Sequence, residues 1–135
     1  VLFGKEHVER YQATDGEEGH DWVKGTTVLL LTTTGRKTGK RYTTPLIYRS
    51  DGADFVVVAS NGGAPDSPSW YKNLTAHPEV GVQVKGDRFT AHARTASTQE
   101  KARLWPLMAE VWPDYDNYQA KTDRPIPVVI LQRAE

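Results

Sequence analysis

The run Thr26-Thr27-Val28-Leu29-Leu30-Leu31-Thr32, followed by Gly35-Arg36-Lys37-Thr38-Gly39 and then by the segment from Tyr42 to Arg49, decides the fold class. Apolar and β-branched residues at consecutive positions suit a buried strand. The two glycines bound a tight connection, so the second strand returns antiparallel to the first. Asp51-Gly52 is a hairpin signal, and Phe55 to Ala59 (FVVVA) is the third strand. A parallel doubly wound sheet needs a crossover of a dozen or more residues between neighbouring strands. These three strands leave no room for one.

Outward from this block, residues 1–12 are predicted as a weakly amphipathic helix that ends near Thr14-Asp15-Gly16. Asn61 to Pro65 (NGGAP) is a loop, and Ser67-Pro68 predicts a helix to about Ala76, with Ser67 as N-cap and Pro68 at the first helical position. His77-Pro78 stops it. Val80, Val82 and Val84 alternate with polar or small residues as a half-buried strand, and Gly86-Asp87 turns into another from Phe89 to Thr95. Ser97 with Glu100 forms a capping box ahead of a helix from Thr98 to about Val111. Pro106 predicts a kink or break inside that helix. A short helix follows over Tyr115–Ala120, and Ile126 to Leu131 (IPVVIL) is the sixth strand. About six strands with helices inserted late predict an α+β fold, an antiparallel barrel with helices packed outside. Residues 1–25 form an N-terminal helix and linker, and 26–135 the barrel, as a single domain overall.

Composition narrows the function. The 135 residues are 38% hydrophobic and 25% charged, a globular balance. Cysteine is absent, which excludes disulfides, Cys-ligated metal and thiol nucleophiles, and suits a reducing cytoplasm. No apolar run approaches the ~20 residues of a membrane span, and no signal peptide is visible. Seventeen basic and seventeen acidic residues cancel, so no global field attracts nucleic acid. Locally the charges separate. Residues 1–21 hold six acids against Lys5 and Arg10, whereas Trp22 to Ser50 holds none against six cations. Four of those cations, Arg36, Lys37, Lys40 and Arg41, fall within six positions. A solvated turn and a pocket for an anionic ligand both fit this pattern.

Several chemistries lack their motif. Gly35 to Arg41 is one residue too short between its glycines for a phosphate loop, carries Arg41 where a hydroxyl is needed, and leads into a strand. No Gly-x-Gly-x-x-Gly or Gly-x-Ser-x-Gly occurs. His7, His20, His77 and His92 never lie at i,i+2 or i,i+4, so no metal site is expected and surface histidines are the reading. Trp105 and one of Trp70 and Tyr71 are assigned to the core. In Trp112-Pro113-Asp114-Tyr115-Asp116-Asn117-Tyr118 the aromatics alternate with turn formers and acids, which predicts a pocket edge where a flat ligand stacks.

The ordered series Thr32-Thr33-Thr34-Gly35-Arg36-Lys37-Thr38-Gly39, Thr44-Pro45-Leu46, Ala59-Ser60-Asn61-Gly62-Gly63-Ala64, Pro68 to Leu74 (PSWYKNL) and His77-Pro78-Glu79-Val80 resembles the deazaflavin-dependent nitroreductase family, whose members are F420H2-dependent quinone and nitroimidazole reductases. The tail from Trp105-Pro106 through Tyr115 and Tyr118 to Thr122-Asp123-Arg124 and Ile126-Pro127 continues it, over about residues 26–131. The resemblance implies a split β-barrel and coenzyme F420, an 8-hydroxy-5-deazaflavin. It implies that Arg36, Lys37 and Thr38 hold the phosphate and acidic oligoglutamate tail, and that Thr44, Pro45 and Leu46 run along the ring. Ala59 and Ser60 would line the ring edge, with Asn61 near the cofactor where the nitroimidazole-activating relative has lysine. Ser69, Trp70 and Lys72 would close the phosphate side, and Tyr115 and Tyr118 would cap the substrate. Trp112 replaces a tyrosine of that relative at the pocket lip.

The implied activity is hydride transfer from reduced deazaflavin to a small electrophile: a quinone, an enone or coumarin-type lactone, or a nitroaromatic. Tyr115, Tyr118 or Ser60 would hydrogen-bond the oxygen on which charge builds, and either a tyrosine or water would deliver the proton. The alternatives are an FMN-dependent split-barrel oxidoreductase, since FMN also carries a phosphate, and a non-catalytic protein that binds deazaflavin or a fatty acid. A cytoplasmic location is expected, with peripheral contact at the inner face of the membrane if the acceptor is a menaquinone. The acidic residues 1–21 disfavour anionic lipid.

Overall fold

A computed structural model describes residues 1–134. Its seven strands are β1 (Val28–Thr34), β2 (Arg41–Ile47), β3 (Arg49–Asp51), β4 (Asp54–Val58), β5 (Glu79–Val84), β6 (Asp87–Thr95) and β7 (Val128–Arg133). Four helices accompany them: α1 (Gly4–Thr14), α2 (Ser69–Ala76), α3 (Thr98–Val111) and α4 (Asp114–Ala120). The strands form one sheet in the order β2-β1-β5-β6-β7-β4-β3, antiparallel at every pairing. Among the described residues no helix is long and apolar enough to cross a membrane.

The α+β class and the antiparallel barrel-like sheet match expectation, with one strand more than the six read from sequence. The predicted strand Tyr42–Arg49 is divided at Tyr48. Residues up to Ile47 pair with β1, and from Arg49 the chain pairs with β4. The Asp51-Gly52 hairpin therefore joins β3 to β4, at the opposite edge of the sheet from β2. One extended segment thus serves both edges, and the sheet curls into a half-barrel with β2 brought against β4.

The period of two along each strand sorts side chains into two cores. Leu29, Leu31, Val57, Val129 and Leu131 point into the curl, where Trp70 and Leu74 of α2 close it. Their neighbours Val56, Val58, Val128 and Ile130 point outward and are covered by Leu104 and Met108 of α3 and Tyr115 of α4. Val28 and Leu30 are covered by Tyr11 of α1. Both faces of β1, β4 and β7 are therefore dry, which is why these strands read as continuous apolar runs.

Four local expectations change. Pro68, not Ser67, occupies the N-cap of α2, and Ser69 is its first residue. Ser67 Oγ instead lies 3.5 Å from the Arg124 guanidinium. The helix α3 runs through Pro106 without a break. Pro106 and Ala102, whose carbonyl loses its helical partner, both face solvent, so water satisfies the freed acceptor. His7 and His20 are buried rather than superficial. Trp105 is half-buried at the rim of the outer core, with its indole N–H on Asp116 Oδ1 at 2.8 Å.

The capping box at Ser97 is present, and Glu100 adds a bidentate pair with Arg94 at 2.7 Å on each oxygen. The Arg94 guanidinium, helped by the Ser97 N–H, holds the Glu100 carboxyl down at about 2. A depressed carboxylate stabilises the fold fully above its unfolded value, and that contribution fades as pH falls toward the folded one. Wild type is expected to melt above Glu100→Gln near neutrality, and the two should converge as pH drops from about 4.5 to about 2. Thermal melts across that range check it.

Candidate functional site

The β1–β2 connection builds a cationic recess of about 560 Å³. Its two glycines have different reasons. Gly39 has φ +75°, the left-handed region that favours glycine. At Gly35 the reason is space, because a Cβ would stand 2.8 Å from the Tyr42 ring and 3.0 Å from Thr38 Oγ1. The turn closes through Gly35 N–H to Lys40 O and Gly39 N–H to Gly35 O. Asn73 of α2, 4% exposed, pins it from the side. Its Oδ1 accepts from the Arg36 backbone at 3.2 Å and from the Arg36 guanidinium at 2.8 Å, and its amide donates to Thr33 Oγ1 at 3.3 Å. Arg36 is held by one nitrogen, and Lys37 extends beside it without a partner among the described residues. None of the four cations of this loop pairs with an acid among the described residues. No acid among the described residues lines the recess, to whose wall Thr44, Ser69 and Trp70 also contribute.

A second recess of about 330 Å³ continues along β2, from Pro45 and Leu46 to Ile47. No Asp, Glu, Lys or Arg among the described residues lines it. Tyr115, Tyr118 and Trp112 form one wall, and Ser60 another. The rings of Tyr115 and Tyr118 meet edge to face at 6.2 Å. The Trp112 indole N–H lies 3.3 Å from the Tyr118 hydroxyl oxygen and donates to it, which leaves the phenol proton of Tyr118 free to donate elsewhere. Burial pushes the Tyr115 phenol well above the usual tyrosine range, so it keeps its proton and can serve as a hydrogen-bond donor. Since β2 ends the sheet, its outer backbone has no strand partner among the described residues. Pro45, which has no N–H to offer a ladder, suits an edge strand.

Two residues set this wall. Arg124 donates to the carbonyls of Ala64 (2.8 Å) and Ser60 (2.7 Å) and reaches that of Ala59 (3.4 Å), clamping the 59–67 loop beneath the recess. At Gly63, φ +82°, a Cβ would stand 2.6 Å from the Tyr118 carbonyl oxygen, so only glycine lets this loop meet α4.

The expected site residues thus fall mostly on two recesses that take neighbouring stretches of β2. Arg36, Lys37, Thr38, Thr44, Ser69 and Trp70 line the cationic one, and Pro45, Leu46, Ser60, Tyr115 and Tyr118 the aromatic one. Three line neither. Ala59 is fully buried, Asn61 donates to Asp66 O at 3.0 Å, and Lys72 is paired with Asp66. Asn73 and Arg124 were visible in the quoted motifs but carried no role there, because each acts through contacts 37 to 65 residues away in sequence. Phe3, His7 and Trp22 bring the N-terminal segment into the aromatic recess. The reading of residues 1–25 as a helix and linker held no signal for this.

The sequence profile of the F420H(2)-dependent quinone reductases matches residues 3–133. The match includes the N-terminal segment, which had carried no resemblance. An F420H(2)-dependent quinone reductase of Mycobacterium tuberculosis is 44% identical over 130 residues, covering 94% of this chain and 87% of the relative. A solved structure described as an F420-H2 dependent reductase superposes with a TM-score of 0.72 at 42% identity, over 78% of this chain and 93% of that one. Another, described as a domain-swapped dimer, gives 0.76 at 39% identity over 95% and 96%.

Proposed function

Because this chain belongs to the F420H(2)-dependent quinone reductase family, we propose that it reduces a small quinone-type acceptor with hydride from reduced coenzyme F420. The observation that carries this reading is that an acid-free cationic recess, lined by Thr43 and Thr44, and an aromatic recess, lined by Pro45 to Ile47, take consecutive stretches of the edge strand β2. The donor set fits such a cofactor, which is anionic at one end and flat at the other. When bound, the deazaflavin supplies the hydride.

The rest falls to the protein. Arg36 offers a guanidinium fork to phosphate or carboxylate, and Lys37 adds a point charge. Thr38 and Ser69 add hydroxyl donors, and the β2 edge offers backbone donors and acceptors to a planar ring. Pro45, Leu46 and Trp112 exclude water from its face. Tyr115 and Tyr118 hold phenol protons toward the acceptor oxygen, where charge builds. The protein acts in the cytoplasm, and a menaquinone acceptor would bring it to the inner face of the membrane.

FMN also has a phosphate, so the cationic recess alone does not separate the two cofactors, and family membership favours F420. Equilibrium dialysis against both is the test. Tighter binding of F420 is expected, and tighter binding of FMN would overturn the reading.

A further inference from the structure

His7 lies on α1, which no expectation connected with the reaction, yet it lines the aromatic recess with Tyr115, Tyr118 and Ser60. It is 2% exposed. Its Nε2 is 2.8 Å from the Gly19 carbonyl oxygen, which can only accept, so Nε2 carries a proton and donates. Gly19 is what lets that carbonyl come so close. At φ +103°, a Cβ there would stand 2.9 Å from the ring's Cδ2 and 3.0 Å from Nε2. The Trp22 ring, with its centroid 5.7 Å away, covers part of the imidazole.

The other nitrogen, Nδ1, has no hydrogen-bond partner among the described residues. No side-chain nitrogen or oxygen among them is both sealed from solvent and unpartnered. Nδ1 therefore opens onto a solvent-reachable surface, and the cavity that His7 lines is the aromatic recess. With Nε2–H anchored on Gly19, the free Nδ1 accepts from a ligand while the ring is neutral and donates to it when the ring is an imidazolium, the form that can hand over a proton.

We propose that His7 is a catalytic residue of this site, delivering from Nδ1 the proton that completes reduction of the acceptor. This inference rests on the reductase reading above. The two electrons and the first hydrogen arrive with the hydride that the family's activity supplies. The second hydrogen comes from His7: its Nδ1–H bond breaks, an O–H bond forms on the acceptor, and a neutral imidazole remains with Nε2–H still on Gly19. Solvent then reprotonates Nδ1. Tyr115, whose burial keeps its proton on, is better suited to hydrogen-bonding the oxygen than to giving it a proton.

The groups around His7 leave the step to it. On α1, Lys5, Glu6, Glu9 and Arg10 are exposed, and the Tyr11 hydroxyl is engaged with Gln83 and Lys85. From the facing segment, His20 is turned toward Asp21 and Tyr48. From β2 come only Pro45, Leu46 and Ile47, and from α4 the two phenols.

The test compares wild type with His7→Gln, whose amide can keep the Gly19 hydrogen bond but cannot ionise. Oxidation of F420H2 by menadione is followed from pH 5.5 to 8.5, with F420 binding measured in parallel. The expected result is a kcat loss of about 100-fold or more, F420 affinity within a few-fold, and loss of the wild-type decline in kcat with rising pH. Wild-type kcat and pH profile in the variant would overturn the proposal. So would weakened F420 binding with the pH profile retained, which marks a structural role. A wild type that does not turn over removes the reductase reading and this inference with it. Should His7→Gln fail to fold, ¹⁵N spectra of the wild-type imidazole still decide. Adding menadione to protein loaded with oxidised F420 should shift His7 Nδ1 and leave Nε2 in place, and an unmoved Nδ1 refutes contact.

Discussion

Replacing Arg36 and Lys37 together by alanine is expected to lower F420 affinity by a few hundred-fold or more, with the melting temperature nearly unchanged. Neither side chain supports the fold. Both are exposed, Lys37 touches no acid, and Asn73 keeps the Arg36 backbone N–H at 3.2 Å when the guanidinium is gone. Exposed substitutions of this kind usually fall within about 0.5 kcal/mol. Each lost charge-assisted hydrogen bond to an anion costs roughly 1.5–3 kcal/mol, and the pair therefore accounts for the expected loss. Added salt should weaken wild-type binding more than that of the double variant, because screening acts on the charges removed. Titration of both proteins with F420 at low and high salt measures the two effects at once. Equal affinities with equal salt slopes would make the loop a solvated turn, the reading that its sequence left open.

How much of this was legible depends on the range of the interaction. The GRKTG turn could be read because its constraints are local. Gly35 must clear Tyr42 and Thr38, Gly39 must take a positive φ, and four cations stand without acids over a continuous stretch. The division of residues 42–49 at Tyr48 could not. Its cause is the curl of the whole sheet, which needs the same extended segment at β1 and at β4. Tyr48 itself reads as one more strand residue, although its N–H goes to Thr27 O and its hydroxyl to His20 Nε2 at 2.8 Å. The rules for proline predicted a kink or break at Pro106, and the helix is unbroken there, because those rules describe the backbone and not which way the helix faces. Arg124 shows the same limit in the site. An arginine between Asp123 and Pro125 looks like a surface charge until the 59–67 loop folds over it. His7 is the furthest case, since both its burial and its free nitrogen depend on Gly19 and on a recess assembled from five separate segments.

Tyr115 and Tyr118 provide the other large effect. Each changed to phenylalanine is expected to lower kcat with a quinone by about 100-fold, while F420 affinity stays within a few-fold. The size follows from removing one positioned donor to developing charge, about 3 kcal/mol. The two phenols reach it differently. The Tyr115 hydroxyl makes no hydrogen bond among the described residues, and burial holds its proton in place, so its donor capacity is spare. The Tyr118 oxygen already accepts from Trp112, and Tyr118→Phe also leaves that indole N–H without its partner. A change at Tyr118 should therefore cost some stability as well as rate, whereas Tyr115→Phe should cost rate alone, because the ring that packs on Trp105 at 6.3 Å is retained. Steady-state kinetics with F420H2 and menadione, set beside thermal melts, separate the two. Unchanged kcat in both variants would leave the rings as packing and remove the phenols from the reaction. A loss at Tyr115 with no change in melting temperature would fix its hydroxyl on the reacting oxygen.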